Sequence, residues 1–281
     1  GPIYAAVASG DVLNALDPVE HRASTITIPS NGPEIQTDTP VSPYWGDDPV
    51  WARRSDPRSV AMDGQGRVWL TGHVRDTRDQ PGFCTDASNA FADHYPLARG
   101  ARQVFMYDPG TEVFSEIDTC FSADHNQISD DDIIYYGFNG GLGWIDIEIW
   151  DETQDAEAAQ GWCPGVVDTN GDGVITAGWT EPTDPIDPTR DHRIRVSCYS
   201  PAVNPADGTV WCSGNGSADN KLVRIEVGDN PPASCTAEVF EPPLSVMNPS
   251  AYGSGGLHFT SDGIAWQDWR GSGHFASFDR N

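Results

Sequence analysis

A short apolar strand, an Asp/Gly turn, a second strand with an aromatic near its end and a third strand closing on an acidic residue recur four times along this chain. The copies occupy residues 59–70 with 103–108, 125–136 with 142–146, 202–212 with 221–226, and 257–266 with 274–279. Recurrence of one antiparallel unit points to a repeat architecture, in which each unit completes its burial against its neighbours.

The turns are Asp63-Gly64-Gln65-Gly66, Asp130-Asp131-Asp132, Ala206-Asp207-Gly208 and Ser261-Asp262-Gly263, residues that tolerate the left-handed backbone of tight hairpins. Their flanks alternate apolar and polar, as in Arg67-Val68-Trp69-Leu70, which is strand periodicity. Helical spacing is nearly absent, and the best stretch, 151–160, is short, acidic and without an apolar stripe, so it reads as a loop or a single surface helix. A fourth strand follows the third at 112–117 and 237–240. Four antiparallel strands per unit suit the blades of a β-propeller. The expected fold is an all-β single propeller domain over residues 1–281, of about five blade equivalents, with insertions at about 73–100 and 151–192. Residues 3–9, 11–17 and 24–28 read as the later strands of a blade whose first strand is missing, and the last unit stops before a fourth. Closure is therefore either unusual, or the chain is an incomplete part of a larger propeller.

Forty-two acidic residues against 16 basic ones give a net charge of −26, and Lys221 is the only lysine. Such a surface repels nucleic acid and anionic headgroups, which excludes both as main partners, and favours solubility. No apolar run is long enough to insert in a membrane. The six cysteines lack the paired spacing of a zinc ribbon or haem site, so they read as disulfides of a periplasmic or secreted protein. Cys198 and Cys212 flank one hairpin turn at matched distances and form the best pair. The other four cysteines allow three pairings, with Cys84–Cys120 across the first insertion favoured.

The sharpest local motif is Asp168-Thr169-Asn170-Gly171-Asp172-Gly173-Val174-Ile175-Thr176. It matches the first half of an EF-hand loop: oxygen side chains at alternate positions, Gly at the sharp turn, the Val174 carbonyl, then Thr176. A hard cation such as Ca2+ wants several oxygens around one point, and Asp168, Asn170, Asp172, Val174 and Thr176 supply them. Trp179 stands where the loop's acidic ligand belongs, and Glu181 is the expected substitute. The alternative is a metal-free Asx-turn loop.

In a propeller blade the first strand begins and the second ends on one face, so such positions from every blade ring a common mouth. His125 and His258 fall at or near starts of first strands, and His73, Asn139, Asn215 and Arg270 at ends of second strands. Imidazoles and amides there could hold a second divalent metal or polarise a substrate, with His73, His125 and His258 as the catalytic candidates. The alternative is a ring of hydrogen-bonded residues around a solvated channel. Trp45 and Trp51 could wall the mouth against a flat or sugar-like ligand or cap the core, and Asp47, Asp48 and Asp56 could reach it.

Asp63-Gly64-Gln65-Gly66-Arg67-Val68-Trp69-Leu70-Thr71, Tyr107-Asp108-Pro109-Gly110-Thr111 and Ser115-Glu116-Ile117 resemble the repeat wording of streptogramin lyase (virginiamycin B lyase)-like propellers. "DGTVW" from Asp207 to Trp211 fits the same wording. The resemblance implies a propeller, and for the lyases a magnesium ion and histidine that open a cyclic ester by elimination. This chain departs from them in its fewer blades, long insertions and disulfide-ready cysteines, features closer to exported bacterial propellers with such repeats.

Two functions remain in view. One is an exported metal-binding propeller whose mouth takes a small-molecule or polymeric ligand, with metal-dependent lyase chemistry. The other is a non-catalytic binding or assembly module stabilised by calcium and disulfides. The partial terminal blades also suggest a homo-oligomer, or a partner segment that completes them.

Overall fold

Asp63 shows how a hairpin of this chain is set. Its carboxylate accepts hydrogen bonds from the backbone N–H of Gln65 at 3.0 Å and of Arg67 at 2.9 Å. It also accepts from Arg67 Nε at 2.7 Å and the Trp69 indole N–H at 2.9 Å. Gly66, at φ +82°, takes the left-handed turn position. The strand that leaves the turn therefore starts with its register and its buried Trp69 already fixed.

The computed structural model describes residues 1–8, 10–29, 55–74, 80–95, 100, 102–195, 197–214, 221–242 and 252–280. The chain is all-β, built from five propeller-type antiparallel sheets and one two-stranded ribbon among the described residues. It divides into two compact units.

Unit 1 comprises residues 1–86 and 97–124. Strands β1 (Ile3–Ala6), β2 (Val12–Asp17) and β3 (Arg22–Thr27) form its first sheet. Strands β4 (Arg58–Met62), β5 (Val68–Gly72), β6 (Gln103–Asp108) and β7 (Val113–Ile117) form the second, paired in sequence order. Between β5 and β6, helix α1 (Gly82–Thr85) carries Cys84, which is bonded to Cys120. Leu13, Ile28, Val68, Leu70, Phe105 and Tyr107 make the core. β1 packs on β4, the first strand of the next sheet. The opening segment thus begins with a first strand, and the expectation that this strand is missing is corrected.

Unit 2 comprises residues 87–96 and 125–281. After helix α2 (Ala90–His94), strands β8 (Asn126–Ile128), β9 (Ile133–Phe138) and β10 (Gly141–Asp146) form a meander. Helices α3 (Ile147–Thr153) and α4 (Ala156–Ala159) follow, and strand β11 (Gln160–Pro164) then adds to β10. The helical stretch starts earlier than its acidic part suggests, because Asp146 caps α3 at Ile149 N–H and Ile147 and Trp150 are its buried side chains. The insertion expected from 151 therefore contains this blade's fourth strand. The short ribbon strands β12 (Val166–Val167) and β13 (His192–Arg193) also lie in it.

The next sheet is β14 (Ser200–Val203), β15 (Val210–Ser213), β16 (Leu222–Glu226) and β17 (Thr236–Phe240). The last is β18 (Ser254–Phe259), β19 (Ala265–Trp269) and β20 (His274–Phe278), without a fourth strand among the described residues. First strands β8, β14 and β18 lie next to one another, as inner strands of successive blades do. Val203 N–H donates to Gln127 Oε1 at 2.8 Å, and the Ser213 hydroxyl donates to the Gly255 carbonyl at 2.5 Å. The core runs from Tyr135 and Leu142 to Val210, Val223 and Ile225, and both remaining disulfides, Cys163–Cys235 and Cys198–Cys212, are buried in it.

Candidate functional site

The backbone brings three side chains together where the first strands of unit 2 begin. His125 precedes β8, and its carbonyl accepts the Gly137 N–H at 3.0 Å. Tyr199 precedes β14, and its N–H donates to the Ser213 carbonyl at 2.8 Å. Arg270 directly follows the second strand β19. The His125 ring meets the Tyr199 ring edge-on, with centroids 4.3 Å apart. The Arg270 guanidinium lies 4.5 Å from the Tyr199 ring centroid and donates to the Tyr199 hydroxyl at 2.9 Å. The Tyr199 ring thus touches both a cation and an imidazole, an arrangement that stabilises the cluster and presents donors at its rim. Asn139, exposed in the turn after β9, stands at the same end.

Of the remaining predicted mouth residues, His258, His73 and Asp56 lie among the described residues. His258 is exposed and sits inside β18, opposite Trp266, while Ser254 is the residue that opens this strand. The expectation that His258 marks the strand start is corrected. Gly255 and Gly256 look like turn residues in the sequence, yet they lie in the strand, where the register shifts between Ser254 and Leu257. His73 belongs to unit 1, where its N–H donates to the Ser55 carbonyl at 2.6 Å. Nearby in that unit, Arg102 donates to the Asp56 carbonyl at 2.5 Å and to its carboxylate at 2.7 Å. Trp45, Asp47, Asp48, Trp51 and Asn215 lie outside the described residues.

The loop at 168–176 is organised by its own oxygens. Asp168 accepts the N–H groups of Gly171 at 2.6 Å and Gly173 at 2.9 Å. Asn170 accepts from Asp172 at 2.8 Å, and Asp172 from Val174 at 2.9 Å. Gly171 and Gly173 have φ of +76° and +78°. Trp179 is buried with Val166 and Ile175, with Tyr95 partly buried against them, and packs 4.9 Å from the His94 ring, so the position the EF-hand gives to its acidic ligand is occupied by core here. Glu181 points to Arg193, with Oε2 to Nη1 at 3.1 Å. Among the described residues no three His, Cys, Asp or Glu side chains form a metal cluster by themselves, so a cation here depends also on the amide, hydroxyl and carbonyl oxygens of Asn170, Thr176 and Val174.

Beside this loop lies a feature that no local motif marks. A cleft of about 410 Å³ is lined by His192, Arg193, Arg195 and Lys221 together with Thr169 and Val239. It joins basic side chains of β13 and the segment after it to Lys221, the residue before β16. Tyr199 likewise carries no sequence signal, since nothing distinguishes it from a core aromatic until β14 is placed.

No protein-family model and no curated protein sequence matches the chain. Solved structures do. Virginiamycin B lyase from Staphylococcus aureus is similar over 99% of this chain and 66% of its own, with 11% identity and a TM-score of 0.49. A streptogramin B lyase is similar over 95% of this chain and 86% of its own, with 10% identity and a TM-score of 0.34. A putative gluconolactonase is similar over 98% and 69%, with 11% identity and a TM-score of 0.43. The chain thus spans just under two thirds of the length of the Staphylococcus aureus lyase.

Proposed function

We propose that this protein is an exported ligand-binding propeller module, stapled by its three disulfides and by calcium at residues 168–176. Its ligand, a sugar-like small molecule or polymer segment, sits where the first strands of unit 2 begin. The observation that carries this reading is the joining of His125 and Arg270 through the Tyr199 ring. The guanidinium and imidazole that the Tyr199 ring holds in place donate to a sugar's hydroxyl or carboxylate oxygens. Three disulfides favour an oxidising compartment. A binding module is preferred to lyase chemistry because His258 lies inside β18 and so does not join His125 at the strand starts.

Titration calorimetry with neutral and uronic oligosaccharides tests the proposal. Binding of at least one class that weakens about ten-fold or more in Arg270→Ala supports it. Binding unaffected by Arg270→Ala, or binding of neither class, overturns it.

A specific observation favours a second reading, in which an anionic ligand enters the cleft by Arg195 and Lys221, since a chain of net charge −26 gathers basic residues there. Loss of uronic-oligosaccharide binding in Arg195→Ala, with Arg270→Ala unaffected, would select it.

A further inference from the structure

We infer that Asp191, not Glu181, is the acidic ligand that completes the cation site at 168–176, and that the cation thereby clamps the end of the long insertion onto the loop. The inference rests on the calcium reading proposed above and adds to it the missing ligand and the consequence of binding.

Asp191 is 1% exposed, and its Oδ1 has no hydrogen-bond partner among the described residues. Its Oδ2 is aimed at the loop, where it accepts the Thr176 N–H at 2.9 Å and lies 3.4 Å from the Thr176 hydroxyl. The residue before it is held to the loop's other end, because the Thr169 hydroxyl donates to the Arg190 carbonyl at 2.7 Å. The Asp191 carboxylate is therefore held against the ninth position of the loop; it forms no three-acid cluster with Asp168 and Asp172 before binding, and the ion would draw the three together. A buried carboxylate oxygen without a partner is costly to leave unsatisfied, and a hard cation satisfies it.

Glu181 cannot serve equally. It is exposed and engaged with Arg193. The EF-hand's twelfth position is no alternative either, since Trp179 is committed to the aromatic core. The Asp191 segment supplies its acid from a different part of the chain, so ion binding joins two stretches that the EF-hand would join within one loop. Asp191 lies beside β13, and Ile175 N–H donates to the Ala233 carbonyl at 2.8 Å, two residues before the Cys163–Cys235 disulfide. The clamp is thus continuous with the disulfide-stapled core.

The test uses the full chain, with calcium followed by calorimetry and terbium luminescence sensitised through Trp179. Asp191→Asn is expected to weaken calcium at least about ten-fold and to lower the terbium signal, while Glu181→Gln stays within about two-fold. Asp191→Glu, which keeps the charge, is expected to recover part of the loss. If Asp191→Asn does not fold, the wild-type protein decides: the Asp191 carboxyl-carbon resonance is expected to move on calcium addition and that of Glu181 to stay. Unchanged affinity in Asp191→Asn, or a moving Glu181 and a static Asp191, overturns this inference and leaves the calcium reading standing. Failure of the wild-type protein to bind calcium overturns both, and leaves the proposed ligand site untouched.

Discussion

Tyr95 donates its hydroxyl to the Gly140 carbonyl at 2.8 Å, tying the end of α2 to the β9–β10 turn that carries Asn139. The ring stands among Phe91, Phe138, Trp162 and Trp179, so the residues brought in from the first insertion become part of the unit 2 core. Burial raises the Tyr95 pKa above the usual tyrosine value; nearby Arg193 opposes this and Glu181 adds to it. A raised folded-state pKa means that the stabilising contribution is complete below the unfolded value of about 10 and is lost as pH rises toward the folded one. Thermal melts from pH 8 to 12 should show stability falling above pH 10. Tyr95→Phe should cost about 1 kcal/mol at neutral pH and soften that alkaline decline. An equal alkaline slope in the variant would refute the assignment to Tyr95.

Gly137 in β9 has no room for a side chain. A Cβ there would fall 1.6 Å from the Cys198 carbonyl oxygen, a backbone atom at the foot of the Cys198–Cys212 hairpin. Gly137→Ala should therefore destabilise unit 2 by roughly 3 kcal/mol or more. Denaturant unfolding measures this, and a cost below about 1 kcal/mol would show that the hairpin yields easily.

The disulfides should differ in worth with the loops they close. Cys163–Cys235 spans 72 residues and Cys198–Cys212 spans 14. Chain entropy then predicts losses of about 4.5 and 3 kcal/mol for the paired Cys→Ala variants. Differential scanning calorimetry should rank them in that order, and the reverse order would mean that local packing outweighs loop closure.

Legibility in the sequence followed the range of the interactions involved. Asp63, Gly208 and Gly263 were readable because a turn is decided by its own few residues, and the left-handed glycines are at the predicted places. The Cys198–Cys212 bond was readable because hairpin symmetry places its partners opposite each other. The start of β18 was not, since Gly255 and Gly256 mimic a turn while lying in a strand. β11 was hidden by the helices before it. The three-residue cluster was half legible: His125 and Arg270 follow from the repeat, but Tyr199 emerges only when adjacent blades are set side by side. Asp191 reaches the loop across a turn of the chain, and no local spacing encodes that contact.

The most direct test of the account is a hydrogen–deuterium exchange map of the protein with and without a saturating oligosaccharide that it binds. New protection is expected to concentrate at 123–127, 197–201 and 268–272, the segments that carry His125, Tyr199 and Arg270. Protection confined to 192–195 and 221–224, around the basic cleft, or spread evenly over the chain, would contradict it.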